Sequence, residues 1–165
     1  MMVFGYAHPL LGWNIEDFHI WQLLTAHFVH YDLRHLITNM LALGILLYLF
    51  PASFKTNIKG VIVAIVLIDL YLWFSGVRYY VGYSGLLYVI PGMSLANFIL
   101  QKKYLHALLI LFLYFAYTLI LQQSVNISDR ILWVPLSQAH FVGFVAGIVV
   151  AVNRIALFKK KNTNI

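Results

Sequence analysis

Residues 82–88 read Gly82-Tyr83-Ser84-Gly85-Leu86-Leu87-Tyr88, GYSGLLY, and an apolar run follows them to residue 100. Two glycines and a hydroxyl therefore stand at the entry to a helix bound for lipid. One explanation is local: a loop ends there and Ser84 caps the next helix, as serines often do. The other is chemical, and choosing between them takes the polar groups of the whole chain.

The apolar run has company. Of the 165 residues, 62% are hydrophobic and 10% charged, against roughly 45–50% and about 25% in ordinary globular chains. Five runs, at about 35–53, 58–75, 84–100, 104–122 and 138–158, are long enough to cross a hydrocarbon layer of about 30 Å, which takes about 20 residues. This is the composition of an all-α polytopic membrane protein, a single helical bundle over residues 1–165. Residues 1–34 are interrupted by Gly5, Pro9, Gly12, Glu16 and Asp17 and are expected to form an outer loop and interfacial segment, with Trp21 at headgroup level. No signal peptide, repeat or low-complexity segment is visible. The chain has no cysteine, which excludes disulfide and thiolate chemistry. The net charge of +6 does not point to nucleic acid, because the lysines sit at the ends of apolar runs. Their partner is the lipid bilayer.

Those lysines set the orientation. Lys55, Lys59, Lys102, Lys103, Arg154, Lys159, Lys160 and Lys161 fall on one face, eight of the eleven cations, and that face is expected to be cytoplasmic. The helices that begin near Ser84 and His140 then start on the outer side. At 1.5 Å per residue, Ser84 stands about 27 Å above Lys102, His140 about 28 Å above Lys159, Asn39 roughly 24 Å and His35 about 30 Å above Lys55. Four polar groups on three helices share one depth, just below the outer surface. Each alone has an ordinary explanation: a cap, an interfacial histidine, or polar packing between helices. Their coincidence matters because polar groups inside a membrane are costly and mark sites or pathways.

The chemistry of the set is coherent. A serine needs a neighbouring base to become a nucleophile, and His140 stands at the right depth. Acyl transfer needs donors where negative charge develops. His35 and Asn39, one helical turn apart on one face, can supply them together with the Ser84 backbone N–H. Tyr88 lies on the face of Ser84 and can pack on the His140 ring. Gly143 and Gly147 form a small-residue stripe that permits close helix approach, and Gly82 with Gly85 is expected to offer the matching surface.

These residues carry a resemblance. The chain resembles the rhomboid family of intramembrane serine proteases through three motifs in the family's order: HFVHYDLRHLITNM (27–40), GYSGLLY (82–88) and AHFVGFVAG (139–147). The resemblance implies Ser84 as nucleophile and His140 as base, with His35, Asn39 and the Ser84 N–H as the oxyanion site and Tyr88 as support for the histidine. It implies an endopeptidase acting on a single-pass membrane protein near the outer membrane boundary. No metal or organic cofactor is implied. A bacterial inner membrane is expected, with the site facing outside and the C-terminus cytoplasmic. The short chain and the stretch LLTAHFVH (23–30) also resemble the rhombosortase branch, whose substrates carry C-terminal Gly-Gly-type anchors. Two features depart from the family. Its outer-loop Trp-Arg pair is Trp21-Gln22 here, which alters a loop-anchoring interaction. The family core has six helices where five are read, so a first helix is expected upstream of residue 1, with MMVFGYAHP lying inside an outer loop.

Two other polar features compete for a role. Asp69 invites a Ser–His–Asp triad, but it lies about 15 Å above Lys59 and so about 12 Å below the level of Ser84. A carboxylate that orients a histidine must touch it, and Asp69 is expected to be a buried, paired structural residue instead. His19, His27, His30 and His35 invite a metal, and His35 with His140 a haem, although no H-E-x-x-H pattern is present. The remaining alternative is a catalytically inactive rhomboid relative that binds membrane clients.

Overall fold

Asp32 opens the first long helix. Its backbone is extended, at φ −150° and ψ 171°, and its carboxylate accepts a hydrogen bond from the His35 N–H at 2.7 Å, which satisfies one of the orphan donors of a helix start. In the computed structural model, residues 10–52, 54–127 and 136–163 are described. They form β1 (Trp13–Asn14), α1 (Gln22–Thr25), α2 (Leu33–Leu49), α3 (Phe54–Ser75), β2 (Tyr79–Tyr80), α4 (Ser84–Leu87), α5 (Val89–Leu100), α6 (Tyr104–Ile127) and α7 (Ser137–Thr163). The MMVFGYAHP stretch lies outside the described residues.

All five expected helices are present, with shifted ends. The first stops at Leu49 and does not run to 53, because Pro51 follows Phe50 and the residue before a proline is driven out of the helical region. The 84–100 helix breaks at Tyr88 into α4 and α5. Pro91 has no N–H to offer the Leu87 carbonyl, so the ladder is interrupted there. Among the described residues, Lys55–Ser75 is long and apolar enough to cross a membrane, whereas the apolar stretches Leu33–Leu49, Ser84–Leu100 and Tyr104–Leu119 are shorter. The expectation of a full span in every run is corrected to that extent.

The bundle is built around α5, which packs most extensively on α7 and also on α6, α3 and α2. The α5–α7 seam is backbone against backbone. A Cβ on Gly143 would collide with the Gly85 carbonyl oxygen, one on Gly147 with the Val89 carbonyl oxygen, and one on Gly92 with the Phe144 carbonyl oxygen. Gly143, Gly147 and Gly85 thus lie in one seam, and Gly92 joins them. Gly82 does not: it faces α2, where a Cβ would lie 3.1 Å from His35 Cε1, and its φ is +132°. Glycine is required at 82 for a conformation that side chains rarely adopt, and not for the seam.

The outer segment is more than an interfacial strip. Trp13 and Asn14 pair antiparallel with Tyr80 and Tyr79. Trp13 is buried, donates through Nε1 to the Val77 carbonyl at 2.9 Å, and packs edge-on against Phe18 and Trp73. Gln22 is fully buried; its Oε1 accepts from the Asn14 N–H at 3.2 Å and its Nε2 donates to the Asp17 carbonyl at 3.4 Å. Gln22 therefore ties the loop to itself through neutral bonds. Trp21 stays half exposed and donates to the Leu10 carbonyl at 2.7 Å.

Candidate active site

Ser84 does not cap its helix. Tyr83 holds the N-cap position and makes no side-chain capping bond, and Ser84 is the first residue of α4. Its Oγ lies instead 2.9 Å from Nε2 of His140, one turn into α7. The serine hydroxyl of GYSGLLY is thus no cap: it leaves its own helix to meet another. Gly143 and Gly85 let the two backbones touch, and that contact brings the side chains of Ser84 and His140 within one hydrogen bond.

The imidazole is held by stacking. Tyr88 lies over the His140 ring with centroids 4.6 Å apart and planes at 18°, while His140 is 1% exposed. Its Nδ1 has no hydrogen-bond partner among the described residues. The ring is positioned by a π-face and a shape, with no carboxylate behind it among the described residues.

Asp69 is elsewhere. Its Oδ1 is 3.0 Å from Nε2 of His27, and the two side chains are 12% and 0% exposed. The acid is paired, as expected from its depth, but it is partly rather than fully buried. Nothing in the residue pattern indicated that its partner would be a histidine of the outer segment.

Across from the pair, α2 contributes His35 and Asn39, both buried. Asn39 Nδ2 is shielded from solvent and has no hydrogen-bond partner among the described residues, a donor that a bound oxyanion or carbonyl could engage. Ser84, His140, His35 and Asn39 line one cavity of about 450 Å³. It opens in the wedge between α2 and α6 and runs from the serine along Thr38, Ala42 and Leu46 to Phe50. From Thr38 to Phe50 that is about 18 Å of helix at 1.5 Å per residue. Below the polar head the walls are apolar.

Two residues of this cavity were not anticipated. Tyr114 and Tyr117, on α6, both face it; the Tyr117 ring lies 6.0 Å from that of Tyr88, and Tyr114 stacks on Phe144 at 4.8 Å. They are three positions apart and so share a helix face, the one signal that pointed to them.

The four outer histidines do not gather. His19 stacks on Trp21, His27 is on Asp69, and His30 sits 3.1 Å from the Phe28 carbonyl with its ring against His35. Burial holds His30 below the usual imidazole range, opposed by its bond to the Phe28 carbonyl. Among the described residues no group of three metal-ligating side chains converges.

A family model described as Rhomboid domain matches residues 17–156. No curated protein and no solved structure matches the chain. The matched span covers every element from α1 to the body of α7.

Proposed function

The chain belongs to the rhomboid family of intramembrane proteases, and on that premise we propose that it is an active serine endopeptidase using Ser84 as nucleophile and His140 as general base. The observation that carries the proposal is the 2.9 Å separation of Ser84 Oγ and His140 Nε2 at the head of an apolar cavity. A family member that only bound clients would have no need of this pairing.

The mechanism uses the groups in place. Neutral His140 takes the Ser84 proton as Oγ attacks the scissile carbonyl carbon. The negative charge that develops on the carbonyl oxygen is met by Asn39 Nδ2, His35 and the Ser84 N–H, which faces out of a helix start where no intrahelical acceptor exists. The imidazolium returns its proton to the leaving amine. Water then repeats the sequence on the acyl-enzyme. The proposed substrate is a single-pass membrane protein whose apolar segment lies along the cavity wall between Ala42 and Phe50, with the scissile bond near the outer boundary. The narrower proposal is a rhombosortase-type substrate with a small-residue anchor, supported by the 23–30 stretch.

The test is covalent. A fluorophosphonate probe applied to the purified protein is expected to add its mass at Ser84; a protein that stays unlabelled overturns the proposal. Asn39→Ala is expected to lower the labelling rate by roughly 10²–10³-fold, the usual effect of one oxyanion donor. Unchanged labelling would remove Asn39 from the site. Orientation is a separate expectation. A reporter fused after Lys161 is expected in the cytoplasm and one inserted after Ser128 outside. The reverse pattern would turn the site inward.

A further inference from the structure

Both polar atoms of one residue's backbone, two positions before the serine, are gripped from outside the catalytic set. The Gly82 N–H donates to the Ala26 carbonyl at 2.9 Å. The Gly82 carbonyl accepts from the Tyr80 hydroxyl at 3.0 Å. Gly82 has a φ of +132°; glycine has many conformations open to it, and these two bonds select one for the loop into Ser84. The Ala26 carbonyl is in turn fixed by the residue next to it in the chain. His27 is fully buried, and its Nε2 sits 3.0 Å from Asp69 Oδ1 on α3. With Nδ1 lacking a partner among the described residues, the economical tautomer donates Nε2–H to the carboxylate and leaves Nδ1 as a bare acceptor. The Tyr80 ring packs edge-on against His27 at 5.6 Å, and its hydroxyl lies over Gly85, where a Cβ would stand 3.1 Å from it. Burial and the nearby Asp69 charge both hold the Tyr80 phenol protonated as a donor.

We propose that Asp69, His27 and Tyr80 are positioning residues for the nucleophile: the Asp69–His27 bond anchors the outer segment on α3, and Ala26 with Tyr80 then fixes the Gly82 backbone that aims Ser84 at His140. The proposal rests on Ser84 being the nucleophile. It gives the intramembrane acid a task in the reaction without contact with His140. None of the three touches the reacting atoms.

The experiment measures the maximal inactivation rate and the half-saturating concentration of a fluorophosphonate, per folded molecule, in four proteins. Asp69→Leu keeps the bulk but leaves the buried His27 N–H without an acceptor. Its maximal rate is expected to fall by about 10²-fold, the scale of an ångström-level misplacement, with half-saturation unchanged. Asp69→Asn still offers an oxygen to Nε2–H and is expected to stay within a few-fold of the wild type. Tyr80→Phe removes one hydroxyl from a packed ring and is expected to lose about 10-fold in the same parameter. It also decides the matter if Asp69→Leu does not fold. Wild-type rates per folded molecule in Tyr80→Phe, and in Asp69→Leu where it folds, would overturn the positioning role while leaving the hydrolase reading intact. A wild-type protein that fails to label overturns that reading and this one with it.

Discussion

Ser84→Ala is expected to abolish peptide-bond cleavage and probe labelling while the protein unfolds at nearly the wild-type temperature. The two halves of that result come from the same geometry. As a helix cap, the serine would contribute about 1 kcal/mol to stability and nothing to turnover. It makes no capping bond, and its hydroxyl is committed to His140 across the seam between α4 and α7. Losing it removes one hydrogen bond at the edge of a cavity and the atom placed to attack. In serine hydrolases the nucleophile and base act as a unit, and loss of either lowers turnover on the order of 10⁶-fold. His140→Ala is therefore expected to be as severe, and the double variant no worse than either single one. Because His140 is held by the Tyr88 ring and Asp69 is paired with His27 instead, Asp69→Asn is not expected to reproduce that loss. Cleavage surviving in Ser84→Ala would return the serine to a structural role. A double variant clearly slower than both singles would separate the two residues into independent functions.

The candidate site was legible in the sequence because a membrane makes depth countable. Ser84, His140, His35 and Asn39 are polar interruptions of apolar helices, and the rise per residue puts them at one level before any contact is known. The same count kept Asp69 away from His140. It could not name His27 as the acid's partner. The two are 42 residues apart, and the depth of a loop histidine depends on how far the loop dips, which no helical rise measures. The outer segment was hidden for a related reason. A ribbon of two paired residues has too little alternation to register as strand, so buried Trp13 and Gln22 looked interfacial. Gly82 was assigned to the seam because a glycine needed for positive φ and one needed for close approach are the same letter. Tyr114 and Tyr117 escaped because the apolar content of α6 runs all the way round, leaving no stripe from which to tell its inward face.

Gly143→Ala is expected to be the most damaging methyl group that can be added to this bundle. The contact it would break is backbone on backbone: the new Cβ would overlap the Gly85 carbonyl oxygen, with the Gly85 carbonyl carbon 3.0 Å away. A side chain in that position could rotate aside, but a peptide carbonyl in α4 can move only if the helix moves. Overpacking of cores commonly costs about 1–3 kcal/mol, and a rigid opponent puts this site at the upper end. The functional effect should exceed the loss of stability. Prising α7 from α4 lengthens the Ser84–His140 separation directly, and reacting groups displaced by an ångström can lose about 10²-fold in rate. Gly44→Ala is the matched control on α2. A Cβ there meets nothing within 4 Å, and replacing a helix-interior glycine by alanine is expected to be neutral or stabilising by roughly 0.5–1 kcal/mol. Thermal unfolding together with probe-labelling rates of the two variants separates the possibilities. Gly143→Ala labelling at the wild-type rate would mean that the seam does not hold Ser84 against His140. Gly44→Ala losing as much as Gly143→Ala would mean that the bundle is sensitive to any added methyl, and the close approach of α4 and α7 would have no special part in assembling the pair.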